Sequence, residues 1–299
     1  MKETVRRVAS PRRSLVLATL AATLAACSAP PRFEVDPVAT PAESVVPLVL
    51  ARNRALLDAQ IGAEHVTLLL DLGADQAIGL SPASATRVGA RFTGGTKSVS
   101  DAFGRSTDCR RYVLPDCTLG SLALHDVEGW EQPGDLDDEE HRVEGVVGWR
   151  LLERFGVLLD FPSRKLTLVS GGAAPAGRDV AGWTALPVAP TDDGMSASVS
   201  IEGRPRELLL DTGANWSVLK KGRVADDRLT EHGGVGFFHA SGIAAGEHQL
   251  GPLDFAVLDL QYPRGDGILG FNFFAARAVW IDWPANRATI DAAPAAAGA

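Results

Sequence analysis

The sequence has few aromatic residues, few cysteines and no patch of concentrated positive charge. Only 6% of its 299 residues are aromatic, whereas 31 glycines and 18 prolines supply frequent turns, and this balance favours short strands over long helices. Hydrophobic residues at 45% and charged residues at 22% are ordinary for a globular chain, which excludes disorder or fibrous repeats for the chain as a whole. The length suits two lobes of about a hundred residues each.

The scarcity of positive charge excludes one class of partner. The formal net charge is −8, and because the first 26 residues carry +4, the remainder carries −12. A field of this sign repels nucleic acid, and no basic patch counteracts it. We therefore expect no nucleic-acid partner.

Signatures of several other enzyme classes are also missing. Residues 232–234 (HGG) resemble an esterase oxyanion loop, but no Gly-x-Ser-x-Gly nucleophile elbow accompanies them. The six histidines include no His-Glu-x-x-His pair, and there is no Walker loop or dinucleotide fingerprint. We expect no metal and no cofactor. The acidic run at 135–140 (DLDDEE) lacks the spacing of a calcium loop and is expected to be a solvated loop. The alternative is that its negative charge gives the binding cleft a preference for cationic peptides.

The N-terminal residues have the pattern of an export signal. A basic stretch ending at Arg13 precedes 13 uncharged residues at 14–26, too few to cross a bilayer as a helix. Residues 24–27 (LAAC) resemble the lipobox of bacterial lipoproteins, which implies a signal peptide at 1–26, a lipid anchor at Cys27 and a Pro/Ala-rich tether at 27–43. The alternative is an ordinary secretory signal. With Ser28 in second position, the resemblance implies the bacterial cell envelope, at the periplasmic face of the outer membrane.

Lipidation of Cys27 would leave two cysteines, Cys109 and Cys117. An even number in an exported protein favours a disulfide, and residues 115–116 (PD) would lie near the turn of the intervening hairpin. We therefore expect a Cys109–Cys117 disulfide, with two free thiols as the alternative.

An ordered internal repeat divides the chain into two halves. The matching segments are 68–74 with 208–214 at an offset of 140, 119–122 with 250–253 at 131, and 146–148 with 268–270 at 122. The offset falls by nine at each step, so the first half carries two nine-residue insertions. Such a series indicates a tandem duplication.

Each half has the pattern of a mostly β lobe, since short apolar runs alternate with Gly, Pro and Asp turns. One short helix per half is expected, around residues 149–155 and 271–276. The expected divisions are a first lobe at 44–170, a linker of Gly/Ala/Pro composition at 171–182, a second lobe at 183–291 and a frayed tail at 292–299.

The repeated segments 68–74 (LLLDLGA) and 208–214 (LLLDTGA) each place an aspartate directly after three leucines. A carboxylate at the end of a buried strand is costly unless it is hydrogen-bonded or has a task. The following Gly-Ala lets the chain turn sharply and present the side chain. Two such turns can face each other across a pseudo-twofold axis.

These segments resemble the signature of the pepsin and retropepsin superfamily of aspartic proteases, a hydrophobic strand followed by Asp-Thr-Gly and then Ala or Ser. Residues 146–148 (VVG) and 268–270 (ILG) are similar to the hydrophobic-hydrophobic-Gly element behind the Asp loop of that family. The resemblance extends from about residue 44 to 291. It implies an all-β molecule of two tandem duplicated retropepsin-like β-barrel lobes, joined in one chain as in pepsins, and a monomer.

The resemblance further implies that Asp71 and Asp211 form a dyad that shares one proton. The ionised member would take a proton from a water that attacks the scissile carbonyl of a peptide or protein substrate, and the protonated member would bind the carbonyl oxygen. The chain would then be an aspartic endopeptidase. Supporting roles in the two loops fall to Gly73, Ala74, Thr212, Gly213 and Ala214, with Thr212 hydrogen-bonded to the opposite loop.

Leu72 departs from the family pattern because it stands where a threonine is expected. In the family, a threonine hydroxyl from each loop hydrogen-bonds to the opposite loop, and we call this pair of contacts the clasp. The first loop lacks its hydroxyl, at a cost of about 1 kcal/mol. We interpret the chain as active. The alternatives are a catalytically inactive peptide-binding envelope lipoprotein, an enzyme that dimerises through its second half, and a structural lipoprotein.

The family also closes a β-hairpin flap over its substrate. The Gly-rich segments 94–105 and 233–246 are the candidates for this flap, and an ordinary surface loop is the alternative for each.

Overall fold

The structure is a computed structural model that describes residues 32–35, 42–134, 136–137, 140–172 and 174–291. The predicted signal peptide, Cys27 and the predicted tail lie outside these residues, as do Asp135, Asp138 and Glu139 of the acidic run. No helix within the described ranges is long and apolar enough to cross a membrane.

Strands dominate both halves, as the sequence predicts. Those of the first half are β1 (Glu34–Val35), β2 (Glu43–Pro47), β3 (Val49–Ala51), β4 (Arg54–Ile61), β5 (Glu64–Asp71), β6 (Ile78–Leu80), β7 (Arg91–Ser100), β8 (Ser106–Val113), β9 (Cys117–Leu119), β10 (Leu122–His125), β11 (Glu128–Trp130), β12 (Gly145–Gly148), β13 (Gly156–Asp160) and β14 (Lys165–Val169). Those of the second half are β15 (Thr184–Leu186), β16 (Val188–Thr191), β17 (Gly194–Ile201), β18 (Arg204–Leu210), β19 (Ser217–Lys220), β20 (Thr230–His232), β21 (Val235–Ala245), β22 (His248–Leu258), β23 (Gly267–Leu269), β24 (Ala278–Asp282) and β25 (Arg287–Ile290). The helices are α1 (Pro82–Arg87), α2 (Trp149–Leu152) and α3 (Phe271–Phe274).

Each half builds a lobe around its own large sheet. In the first lobe the strand order is β1-β10-β9-β4-β5-β12-β6, with β3 on β4, and a separate three-stranded sheet has the order β11-β8-β7. In the second lobe the order is β16-β17-β18-β23-β19-β22-β21-β20, and β17 also pairs with β21. The predicted all-β fold with two barrel-like lobes is confirmed.

A fourth sheet joins the two halves. Its order is β15-β25-β24-β13-β14-β2, so both halves contribute strands. Its central pair, β13 and β24, is antiparallel, and Leu158 lies opposite Trp280. The internal repeat relates these two positions at the offset of 122, so the pseudo-twofold axis passes through this pair.

The strand that leads to each aspartate is covered on both of its faces, which explains why it contains three consecutive leucines. Side chains alternate along a strand, so Leu68 and Leu70 enter the main hydrophobic core while Leu69 points to the other face. There Leu69 packs with Val146, Leu136 and other residues of a smaller cluster. Burial on both faces produces a continuous apolar run in place of alternation.

The helices differ from prediction in length and in number. Helices α2 and α3 begin where the sequence predicts but end at residues 152 and 274, two or three residues early. Helix α1 was not predicted. Ser81 caps it by accepting a hydrogen bond from the N–H of Ser84 at 3.2 Å, and Pro82 occupies its first turn, both common features of a helix start.

Two connecting segments contain ordered structure. Strand β1 lies within the predicted tether and pairs with β10 at the edge of the first lobe. The predicted linker contains short 3-10 turns at residues 170–172 and 180–182. In the acidic run, Leu136 is buried and the carboxylate of Asp137 accepts a hydrogen bond from the N–H of Val143 at 2.7 Å, so these two residues are not simply solvated.

The predicted disulfide is wrong, because Cys109 and Cys117 are both free and buried. Cys109 belongs to β8 of the three-stranded sheet and packs with Trp130, whereas Cys117 begins β9 of the large first-lobe sheet and lies opposite Ile61. Their strands are in different sheets and do not pair. Burial raises the pKa of the Cys109 thiol to about 11 and that of the Cys117 thiol to about 12, so both stay protonated at neutral pH.

Candidate active site

The two aspartates occupy equivalent positions in the two lobes. Asp71 ends β5, which pairs in parallel with β12, and Gly148 lies opposite it. Asp211 directly follows β18, which pairs in parallel with β23, and its N–H donates to the carbonyl of Leu269 at 3.0 Å. Each carboxyl is therefore placed by a strand pair of the same kind, as the duplication predicts.

The carboxyl groups of Asp71 and Asp211 meet between the lobes and are hydrogen-bonded to each other. Both residues are almost fully buried, with 3% and 2% of their surface exposed. Gly73 and Gly213 allow this approach, since a Cβ built at Gly73 would lie 2.7 Å from Cγ of Asp211, and one built at Gly213 would lie closer still to Cγ of Asp71. A side chain at either glycine would separate the pair.

Backbone donors complete each carboxyl's environment. The N–H of Gly73 donates to Oδ1 of Asp71 at 2.9 Å. In the second loop the N–H groups of Gly213 and Ala214 donate to Oδ1 of Asp211 at 2.9 and 3.1 Å. Such donors stabilise the ionised form of a carboxyl, and they offset part of the cost of burial.

Folding raises the pKa of both carboxyls. Burial raises the pKa of Asp71 well above its ordinary value, and the charge of Asp211 and the hydrogen bond to it raise it further. Burial also raises the pKa of Asp211, but the hydrogen bond from Asp71 and those from the backbone act in the opposite direction. Both shifts are in the direction expected of two acids that share one proton.

The clasp between the loops has one threonine. The hydroxyl of Thr212 donates to the carbonyl of Leu70 at 2.7 Å and accepts the N–H of Leu72 at 3.2 Å, as the resemblance implies. Leu72 has no hydroxyl to return these bonds. Its side chain is fully buried in the main core instead.

The alanines after the glycines anchor the loops to the helices behind them. The carbonyl of Ala74 accepts the N–H of Trp149 at 3.1 Å, and the carbonyl of Ala214 accepts the N–H of Phe271 at 2.7 Å. Both donors begin the short helices that follow the hydrophobic-hydrophobic-Gly strands. The structure thus brings all the predicted loop residues together around the two aspartates.

A buried charged group beside the first loop was not predicted. Oδ1 of Asp75 lies 2.6 Å from Nε of Arg150, and its Oδ2 lies 3.6 Å from Nζ of Lys97. Lys97 also lies over the ring of Trp130, 4.9 Å from its centroid. The signal in the sequence was Asp75 itself, a second acid four residues after Asp71, but nothing there indicated its partners.

The two flap candidates differ in the structure. Strands β7 and β8 form a hairpin with its turn at residues 101–105, so the candidate 94–105 is one strand and the tip of a hairpin. The candidate 233–246 consists mainly of β21, which is paired along its length with β22 and also with β17 and β20. The first segment therefore has the shape of a flap, and the second belongs to the barrel.

Comparison with known proteins yields the same architecture. Residues 57–151 match the family model described as aspartyl protease. Among solved structures, aspartic proteinase from Irpex lacteus aligns with a TM-score of 0.54 and 16% identity over 84% of this chain and 97% of that one. Basic 7S globulin from soybean aligns with a TM-score of 0.50 and 12% identity over 84% of this chain and 95% of that one. No curated protein matches the sequence.

The chain thus has the two-lobed, nearly all-β fold of the aspartic proteases. The family match covers the Asp71 loop and the strand behind it, and the similarity to the two solved structures is a similarity of fold.

Proposed function

We propose that this chain is an aspartic endopeptidase in which Asp71 and Asp211 activate a water molecule. The observation that supports this most is the buried, hydrogen-bonded pair of carboxyls, one from each duplicated loop, with a raised pKa at Asp71. Two acids whose environments differ in this way can act as acid and base at the same pH.

The chemistry follows from the protonation state. A water bound between the carboxyls gives a proton to ionised Asp211 as its oxygen attacks the peptide carbonyl carbon. Protonated Asp71 gives its proton to the carbonyl oxygen, so a neutral gem-diol forms. When the C–N bond breaks, Asp211 returns its proton to the leaving nitrogen and one diol hydroxyl returns a proton to Asp71, which restores the starting state.

The test is cleavage of an unfolded protein substrate by the wild type, Asp71→Asn and Asp211→Asn. Each substitution removes one partner of the acid–base pair, so we expect cleavage to fall by on the order of a thousandfold or more. Asp227→Asn is the matched control, since this aspartate is exposed on a 3-10 turn of the second lobe. Cleavage that survives both dyad substitutions would refute the mechanism.

The second candidate is a catalytically inactive peptide-binding protein with the same fold. Leu72 favours this candidate, because it supplies no hydroxyl to the clasp, and Thr212 alone makes the side-chain contacts of the clasp. This alternative predicts peptide binding without cleavage in the wild type. Sustained cleavage by the wild type, lost in both asparagine variants, excludes it.

We also propose that the protein is anchored to the bacterial cell envelope through Cys27. The support is the lipobox. Arg32 exchanges hydrogen bonds with Glu128, so the chain joins the first lobe at this residue. Five residues from Cys27 to Arg32 span at most about 18 Å, so the first lobe would be held near the membrane. Cys27→Ser should move the protein from the membrane to the soluble fraction; retention in the membrane would contradict the anchor.

A further inference from the structure

The tip of the β7–β8 hairpin is buried in the opposite lobe. Ala102 has no exposed surface. It packs in an apolar cluster whose other members all come from the second lobe, namely Leu209, Ala214, Val218, Ala256, Leu260 and Ile268. We call this cluster without Ala102 the second-lobe recess. A first-lobe side chain thus fills a second-lobe recess.

Hydrogen bonds fix the tip in this position. The carbonyl of Ala102 accepts the N–H of Gln261 at 2.8 Å and that of Tyr262 at 3.2 Å. The turn itself is preformed, since Oδ1 of Asp101 accepts the N–H groups of Phe103 and Arg105 at 3.0 and 2.9 Å. The tip is therefore a rigid turn docked on the other lobe through its backbone and one methyl group.

The second-lobe recess lies beside Asp211. Leu209 lies in β18, two residues before Asp211, and the N–H of Ala214 donates to the Asp211 carboxyl at 3.1 Å. Ala102 therefore fills apolar space next to the Asp211 side of the dyad. The near-complete burial of both aspartates agrees with a closed state.

The equivalent face of the first lobe is covered differently. The repeat relates Leu69, Ala74 and Val146 to Leu209, Ala214 and Ile268, and the first-lobe residues are covered by Leu136 and Val143 of their own lobe. The cover of the second-lobe recess comes from the other lobe and from a hairpin outside the main sheets. That cover can leave without disrupting the barrel beneath it.

The hairpin has a bend at which it can pivot. The register between β7 and β8 shifts between Phe92 and Thr96, where Gly94 has a φ of +80°. A shift of this kind is a β-bulge, which bends a strand and interrupts its pairing. A Cβ at Gly94 would meet nothing within 4 Å, so open space surrounds the bend.

We propose that the hairpin tip is an autoinhibitory latch: Ala102 occupies the second-lobe recess beside Asp211, and substrate opens the site by displacing it. This rests on the proposed peptidase function. Because leucine, alanine, valine and isoleucine line the recess, the displacing group is an apolar side chain of a peptide, next to the bond to be cut. Without such a substrate the protein stays closed.

The latch can be tested without any measurement of catalysis. Ala102→Asp would place a charge against the apolar recess and expel the tip. Hydrogen exchange at the amides of Gln261 and Tyr262, which the carbonyl of Ala102 protects, should then become at least about tenfold faster. Phe103→Asp is the matched control, because Phe103 is the next residue of the tip and is exposed, and it should leave exchange unchanged. Equal exchange in the wild type and Ala102→Asp would overturn the latch.

A reversible lock tests the consequence for activity. A Cβ built at Gly104 lies 3.5 Å from Cβ of Gln261, within the range of about 3.5–4.5 Å that a disulfide requires. We expect the Gly104→Cys/Gln261→Cys variant to lose cleavage when oxidised and to regain it with a thiol reductant. The single Gly104→Cys variant carries the same backbone strain at φ +82° and should respond to neither treatment.

The two hypotheses fail in different ways. Undiminished cleavage by the oxidised double variant overturns the latch but leaves the proposed peptidase intact. If the wild type and the reduced variant cleave nothing, the peptidase proposal fails, and the exchange experiment alone decides whether the tip is latched.

Discussion

The two aspartate loops have nearly the same backbone, but different side chains support them. Behind the Asp71 loop, Asp75 pairs with Arg150 and Lys97 in a buried charged group. Behind the Asp211 loop, Oδ1 of Asn272 accepts the N–H and the hydroxyl of Ser217 at 2.7 and 2.8 Å. The repeat aligns Asn272 with Arg150, so a neutral amide stands in one lobe where a cation stands in the other.

The difference shows which part of the site the duplication preserves. Parallel strand pairs, glycines and helix starts are kept in both lobes because they place the carboxyls. The supporting contacts differ, but in each lobe the polar side chain behind the loop has partners, Asp75 in the first lobe and Asn272 in the second. The charged group includes Lys97 of the hairpin, whereas the Ser217–Asn272 group stays within the second lobe, so the hairpin contacts the site on the Asp71 side.

The largest effect should come from breaking the close approach that both lobes share. In Gly73→Ala and Gly213→Ala the new Cβ would collide with the opposite carboxyl and push the pair apart. We expect cleavage to fall by about a hundredfold or more in each, because misplacement by about 1 Å is enough. The control is Gly182→Ala, where a Cβ would have its nearest contact at 3.5 Å. Near-normal cleavage by either loop variant would show that the carboxyls need not be in contact.

A smaller effect should distinguish the charged support from the neutral one. Lys97→Met removes a cation from a buried group and should lower the free energy of unfolding by about 2 kcal/mol, because the buried charge of Asp75 is then compensated less completely. Asn272→Ala, in the half-buried neutral cluster, should cost about 1 kcal/mol. Urea unfolding of both variants gives the comparison. A larger loss in Asn272→Ala would reverse our ranking of the two supports.

The pH dependence should identify the lobe that holds the proton. A carboxyl whose pKa is raised by folding binds its proton more tightly in the folded state, so its contribution is present at low pH and is lost as pH rises through the folded pKa. The wild type should therefore lose stability as pH rises from about 4, the ordinary carboxyl value, towards the raised pKa of Asp71. Asp71→Asn cannot ionise there and should show a flatter profile in urea unfolding at each pH. Parallel profiles would mean that Asp71 carries no shared proton.

The features that the sequence predicted are those encoded by contiguous residues. The loops at 68–74 and 208–214 and the strands at 146–148 and 268–270 each occupy a few adjacent positions and occur twice, so the repeat indicated both the residues and their relation. Their meeting required only the pseudo-twofold arrangement that a duplicated β chain adopts.

The features that were missed depend on contacts between distant segments. Lys97 and Arg150 are ordinary charged residues in sequence, and only the fold brings them to Asp75. Ala102 gives no signal at all, because a small residue in a turn looks the same whether solvent or another lobe covers it. The disulfide prediction failed for the same reason: an even number of cysteines does not reveal that β8 and β9 belong to different sheets.

The smallest effect concerns the single residue at which the two loops differ. Leu72→Thr would supply the missing hydroxyl, and by symmetry with Thr212 it would donate to the carbonyl of Leu210, but it would also remove apolar volume from the core. Leu72→Val is the matched control, because valine has the shape of threonine without the hydroxyl. We expect Leu72→Thr to be more stable than Leu72→Val by about 1 kcal/mol in urea unfolding, the usual net value of one buried hydrogen bond. If valine proves equal or better, the second hydroxyl has no acceptor, and the one-sided clasp is the arrangement that this pair of lobes requires.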